Sequence, residues 1–240
     1  MPEISPEDLR DLRREFEPLI GLKIDWLSIP HAALPGFEPS QIAVIINTLL
    51  DAALPHIQLL ASDPENRQKL AHVGLSKAPG QIGQREAYPD YIHKSGKRVE
   101  LKGLFVDNAD LPLKRPPSRR EPSARLKENV RLENVVPEND ALLVAAVQLQ
   151  ELDDRCYPVI IDIAVFSMID CIRARDRRLA EAGGVWRGEV PMVVSKRAED
   201  KLRLGQALTN RDYEKDTNFG KLKRIPYAPL QDFMRKHGAI

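Results

Sequence analysis

Cysteine, aromatic residues and long apolar runs are what this sequence has least of. Its 240 residues include two cysteines, Cys156 and Cys171, both in apolar surroundings and without metal-ligand spacing. That excludes a disulfide framework and a thiolate metal centre, and it points to reduced core thiols of the cytoplasmic kind. Aromatic residues are 5% of the chain, too few for a platform that stacks single-stranded bases. Trp26 and Trp186 read as packing residues. The histidines at 31, 56, 72, 93 and 237 are scattered, and His93 reads as a surface residue near a turn. No run reaches about 18 apolar residues, so no membrane-spanning helix is expected. The charged N-terminus, MPEISPEDLRDLRREF, has no signal-peptide core, and the expected location is the cytoplasm. A Walker-type phosphate loop is also missing, which excludes a nucleotide-driven motor.

What is present is segregated charge. The formal net charge is only +1. Yet residues 1–66 hold eleven acids against four Lys or Arg, while residues 113–131 hold seven basic residues against two acids. Residues 201–240 hold nine basic residues and four acids. A nearly neutral chain that sorts its charge in this way can present a basic surface to a polyanion.

The order of elements suggests an α/β fold. Ser5-Pro6-Glu7 is a helix start, with Pro at the first helical position. QIAVIINTLLDAAL is an apolar helix that Pro55 ends or bends. A short helix follows Ser62-Asp63-Pro64 and closes at Gly74, and residues 75–85 read as loop. Strands are expected over about 87–93 and 97–106, joined through Lys94-Ser95-Gly96. The Pro- and Arg-rich segment after them has no apolar period and reads as an exposed arm. ALLVAAVQLQ after Asp140 and PVIIDIAVF after Tyr157 are buried-type strands. Ser167 caps a helix that Gly183-Gly184 ends. A short strand at 190–195, a helix near 197–208 and a helix after Pro229 complete the chain. The expected architecture is a mixed central sheet flanked by helices. An N-terminal helical part, 1–75, packs on a core of 76–240, together forming one compact domain.

Chemistry concentrates in YPDYIHKSGKRVELKG, residues 88–103. Side chains alternate along a strand, so Glu100 and Lys102 share one face while Val99 and Leu101 take the other. A turn at Ser95-Gly96 brings Asp90 back to about the level of Lys102 or just before it. With strands about 4.8 Å apart, the carboxylates of Asp90 and Glu100 can converge on one cation. The Leu101 carbonyl is a further oxygen ligand. Such a set suits Mg²⁺, which keeps several waters and is held by few carboxylates. The lysine would orient or deprotonate an attacking water and stabilise a pentavalent phosphate. Gly103 would permit a close approach to the strand.

Pro89-Asp90, nine intervening residues and Glu100-Leu101-Lys102 resemble the signature of the PD-(D/E)XK nuclease superfamily, whose best-known members are type II restriction endonucleases. The likeness covers about fourteen residues and, more loosely, the order of elements. It implies a restriction-endonuclease-like core and one or two Mg²⁺ ions held by Asp90, Glu100 and Leu101, with Lys102 acting on the attacking water. It also implies double-stranded DNA as substrate, a homodimer for a symmetric site, and a cognate DNA methyltransferase as a possible companion. Many members add an acid from the helix before the hairpin, and here the candidates are Asp51, Glu65 and Glu86. Candidate DNA contacts are Lys114, Arg115, Arg119, Arg120, Arg125, Lys127, Lys221, Lys223 and Arg224, since guanidinium forks suit phosphate oxygens and guanine edges. Two other readings stay open: a repair or recombination nuclease of the same fold, and a non-catalytic DNA-binding protein in which the hairpin carries only solvated charges.

Overall fold

A computed structural model describes residues 3–26, 28–61, 64–79, 88–115 and 124–240. Glu86, Arg119 and Arg120 fall outside the described residues.

The chain begins with α1 (Pro6–Phe16), capped by Ser5 and Asp8 in a reciprocal capping box with Pro6 in the first turn. A two-residue strand β1 (Ile29–Pro30) precedes α2 (Pro39–Ala53) and α3 (Pro64–Ala71). The next strands are β2 (Leu75–Lys77), β3 (Tyr91–His93), β4 (Arg98–Val106), β5 (Asp140–Leu152) and β6 (Arg155–Ser167). Helix α4 (Met168–Glu181) follows and is capped by the Ser167 side chain. A small unit of β7 (Val185–Arg187), β8 (Val190–Val194), α5 (Glu199–Arg203) and β9 (Tyr213–Lys215) leads to α6 (Ala228–Lys236).

Among the described residues the main sheet has six strands in the order β1-β6-β5-β4-β3-β2, and a second sheet has the order β7-β8-β9. Among these residues only the β4–β5 pair is parallel, and the other pairs are antiparallel. Strands β5 and β6 form a long hairpin whose turn residues, Asp153 and Asp154, both have positive φ, 51° and 60°. Left-handed residues at both positions match the right-handed twist of the flanking strands. Residues 141–147 of β5 are all buried, as a strand covered on both faces must be.

Helices cover both faces. On one side Leu12, Phe16, Ile42, Ile46 and Leu50 of α1 and α2 join Val99, Leu101, Ala141 and Leu143. On the other side Met168, Ile172, Leu230 and Phe233 of α4 and α6 join Leu104, Leu142 and Val144. The fold is thus α/β with a mixed central sheet flanked by helices, as expected. The N-terminal part shares the main core, and its strand β1, like β2 at its boundary, extends the same sheet.

Several details differ from the sequence reading. Residues 75–77 pair with β3 where a loop was expected, because an edge strand this short needs little apolar signal. The helix near 197–208 shrinks to Glu199–Arg203. His93 is buried at 1% exposure, held against Phe16 and near Glu15. Trp26 is 44% exposed and is not a packing residue. Trp186 does pack edge-on against Phe219 although it is partly exposed. Residues Pro39–Leu60, which include α2, make a helical stretch of 22 residues, long and apolar enough by length and composition to cross a bilayer. In this fold the face carrying Ile42, Ile46 and Leu50 lies buried in the core on β4.

The basic segment is the largest correction. Parallel pairing of β4 and β5 forces the chain to return along the sheet between them. That return is residues 107–139, and it buries Leu126, Val130 and Val135 in the second core. At least from residue 124 onward, the segment is a packed crossover and not a free arm.

Candidate active site

The hairpin register sets the site. Tyr91 pairs with Val99 and Ile92 with Arg98, across a turn where Gly96 has φ +84°. Continued by one residue, this register puts Asp90 across from Glu100, a little before the level expected from the sequence. Beyond Val99, β4 has no partner strand on this side among the described residues. Its open edge is taken over by side chains: Asp90 Oδ2 accepts the Leu101 N–H at 2.8 Å.

Glu100 and Lys102 share the face opposite Val99 and Leu101, as alternation requires. Lys102 Nζ donates to Glu100 Oε1 at 2.5 Å and to the Leu101 carbonyl at 2.8 Å, and it lies 3.6 Å from Asp90 Oδ2. One ammonium thus stands where both carboxylates and the carbonyl converge. Burial pushes the Glu100 carboxyl up to about 7, and Asp90 adds to the rise against the pull of Lys102. Burial alone would lower Lys102, but Glu100 and Asp90 outweigh it and raise its pKa. The other oxygen of Glu100, Oε2, is buried with no hydrogen-bond partner. A buried carboxylate oxygen left unpaired is costly, and a cation would satisfy it.

The donor set fits magnesium. Two carboxylates and a backbone carbonyl are hard oxygen ligands, and Mg²⁺ sites commonly use one or two carboxylates with waters completing the shell. Among the described residues no cluster of three or more His, Cys, Asp or Glu side chains forms a larger metal cage.

A cavity of about 300 Å³ opens beside this edge. Asn47 and Asp51 of α2 line it with Asp90 and Lys102, while Arg125 and Lys127 come from the crossover. Asn47 and Asp51 are one helical turn apart and so share a face. Gly103 makes the approach possible, since a Cβ there would lie 2.0 Å from Asn47 Oδ1. Asp51 is the one described helix-borne candidate that reaches the cavity. Its carboxylate accepts from Lys77 at 2.6 Å and from the buried Tyr91 hydroxyl. Glu65 lies on the exposed surface of α3, paired with Lys69 at 2.7 Å, and does not line this cavity.

The basic candidates divide into two groups. Arg125 bridges Lys221 in an antiparallel pair, fixed by Leu126 N–H to Gly220 O at 2.8 Å and Leu222 N–H to Ala124 O at 3.0 Å. This joins two basic stretches almost a hundred residues apart and puts Lys221, with Lys223 and Arg224 just beyond it, next to the strip that lines the cavity. Alternation sends Leu126 into the core while Arg125 and Lys127 line the cavity. Lys114 and Arg115 lie past the far end of β4. Arg115 is tied to Asp107 and to the Asn108 carbonyl. Asp107 is about 17 Å along the strand from Lys102, at roughly 3.3 Å per residue.

Sequence reasoning passed over Asn47, Lys77, Tyr91 and Arg175. Arg175 of α4 is 1% exposed, donates to the Lys127 carbonyl at 2.8 Å, and stacks on Phe219, so it supports the basic strip from beneath. The signal available for Asn47 was a polar residue in the most apolar helix, one turn before Asp51. Arg175 had none, because a helix with several arginines reads as a wet surface.

Comparison with protein-family models, with curated proteins and with solved structures finds no match.

Proposed function

We propose that this protein is a Mg²⁺-dependent DNA endonuclease of the type II restriction kind, hydrolysing phosphodiester bonds of double-stranded DNA. One observation carries the reading. Asp90, Glu100, the Leu101 carbonyl and Lys102 meet at the open edge of one strand, beside a cavity lined on its other side by Arg125 and Lys127. The likeness to the PD-(D/E)XK signature rests on those same residues.

Asp90, Glu100 and the Leu101 carbonyl would hold the cation. Bound there, Mg²⁺ would supply positive charge beside the scissile phosphate and lower the pKa of a water. Lys102, its pKa raised by the two carboxylates, donates through Nζ to Glu100 and to the Leu101 carbonyl. Released from Glu100, it orients the attacking water and stabilises charge on the phosphoryl oxygens. The water oxygen bonds to phosphorus, giving up its proton to bulk solvent, and the P–O3′ bond breaks. The O3′ leaves and takes a proton, giving 5′-phosphate and 3′-hydroxyl ends. Arg125 and Lys127 hold the backbone next to the scissile bond by charge-assisted hydrogen bonds. Cutting both strands of a symmetric site calls for two copies of the chain.

The test is incubation of wild type and Lys102→Ala with long unmethylated DNA, in Mg²⁺ or in EDTA. The expected result is discrete fragments from wild type with Mg²⁺ alone, and a loss of about 10³-fold or more in the variant. Wild type that leaves several unrelated genomic DNAs intact, or a variant that cuts as well as wild type, would overturn the reading. A smear in place of bands would move it to a nuclease that does not select sequence.

A further inference from the structure

One buried carboxylate lies just behind the site, and the mechanism does not use it. Asp140, the first residue of β5, is fully buried. It accepts a hydrogen bond from the Tyr88 hydroxyl and one from the Val136 N–H at 3.0 Å. Arg98 Nε stands 3.2 Å from its other oxygen, placed there by the parallel register that pairs Arg98 with Asp140. The Arg98 guanidinium also lies over the Tyr88 ring, 5.1 Å from its centre.

The positions of these partners matter. Tyr88 precedes Asp90 by two residues, and Arg98 precedes Glu100 by two. The ladder between β3 and β4 ends at Tyr91, so it does not hold the chain at Asp90. We propose that Asp140 is a positioning residue. Through Tyr88 and Arg98 it clamps the segment bearing Asp90 against β4 and sets the spacing between the two site carboxylates. The clamp joins three strands at one point: the approach to β3, the start of β4 and the start of β5. A buried carboxylate needs its charge paired and its oxygens hydrogen-bonded; here Tyr88 and the Val136 N–H bond Oδ2, and Arg98 supplies the charge beside Oδ1, which has no hydrogen bond of its own. The functional half of this proposal rests on the endonuclease reading, and the structural half does not.

The test reads the two halves separately. The Leu101 N–H donates to Asp90, so its hydrogen exchange reports whether Asp90 is held in place. Tyr88→Phe removes one hydroxyl and leaves Asp140 its bond from Val136. Exchange at Leu101 is expected to speed up about tenfold, while Leu143 and Val144 in the sheet centre stay protected. Asp140→Asn keeps an acceptor for Tyr88 but loses the charge facing Arg98, and is expected to show the same change. In the cleavage assay kcat is expected to fall about 10- to 100-fold, as displacement of a reacting group by an ångström can cause. The Mg²⁺ concentration for half-maximal rate should rise with it. Unchanged Leu101 exchange in Tyr88→Phe would overturn the clamp. Faster exchange spread equally over β4 and β5 would also overturn it, since that is loss of the sheet and not release of Asp90. Faster exchange confined to Leu101, in a protein whose wild type cuts no DNA, would uphold the clamp and remove the nuclease.

Discussion

Two buried carboxylates of this protein each meet a lysine, and they end in opposite states. Glu100 lies 2.5 Å from Lys102. Asp162, on β6, lies 2.7 Å from Lys236. Asp162 also receives His237 at 2.9 Å and the Ile163 N–H at 2.9 Å, with Arg13 nearby at 3.8 Å. Burial would raise its carboxyl, but Lys236, His237 and the backbone donor bring it below the usual value. Glu100 has one donor on one oxygen, none on the other, and Asp90 as a like-charged neighbour. Burial first, and Asp90 beside it, hold its carboxyl up at about 7 against the pull of Lys102. The lesson is that a lysine at short range does not define a carboxylate's state. Depth of burial and the number of donors together do. Asp162 is a finished tie between α1, the sheet and the C-terminal residues, whereas Glu100 keeps one buried oxygen, Oε2, without a hydrogen-bond partner.

Mutation should break this symmetry most clearly in stability. Asp162→Ala is expected to cost about 3 kcal/mol, the low end for a broken buried ion pair because Lys236 stays wet. Glu100→Gln should not destabilise, since it removes a like-charge contact and an unpaired anionic oxygen while keeping an acceptor for Lys102. Urea unfolding of both variants decides the point, and equal losses would mean that Glu100 is as satisfied as Asp162. Gly103→Ala sharpens the picture from the other side. Its Cβ would meet Asn47 Oδ1 at 2.0 Å, and displacing that side chain should cost about 1–3 kcal/mol. A thermal midpoint equal to wild type would show that the α2–β4 approach has slack.

The subtlest difference should appear in pH dependence. Asp162 has a folded pKa below its ordinary value of 3.8. Its contribution is present above that value and is lost as pH falls through the folded one. Glu100 has a folded pKa raised from 4.5 to about 7. Its contribution is present below 4.5 and is lost as pH rises through about 7. Unfolding measured from acid to neutral pH should therefore show opposite changes. Asp162→Asn should flatten the acid limb, and Glu100→Gln should flatten the decline toward neutrality. Two variants with parallel profiles would undo the contrast.

The site was legible where chemistry and local geometry coincide. Pro89-Asp90 and Glu100-Leu101-Lys102 lie on two arms of one hairpin, so alternation and a short turn suffice to bring them together. The register came out one to two residues off because the turn, and not the motif, sets it. The N-terminal helices and the β5 and β6 strands were legible from caps, glycines and apolar runs. The crossover was misread. Its Pro and Arg content hides Leu126, Val130 and Val135, which are spaced too irregularly to show a period. Arg175 was invisible for a related reason: nothing in MIDCIRARDRRLAE says which arginine turns inward, because that depends on carbonyls supplied by Leu126 and Lys127.

By itself the sequence determined the helix starts and stops, the buried character of β5, the two-faced β4 and the residues of the hairpin site. These depend on neighbours a few positions apart, where steric preference and periodicity act directly. Tertiary structure alone decided the rest. It chose Asp51 over Glu65 as the acid that reaches the cavity, laid Arg125 against Lys221, seated Asn47 over Gly103, and set Asp140 behind Tyr88 and Arg98. Each of those contacts is distant in sequence, and the one between Asp140 and Arg98 follows directly from β4 running parallel to β5. That pairing obliges the chain to cross back over the sheet, and the crossing carries its basic residues to the open edge where Asp90, Glu100 and Lys102 meet.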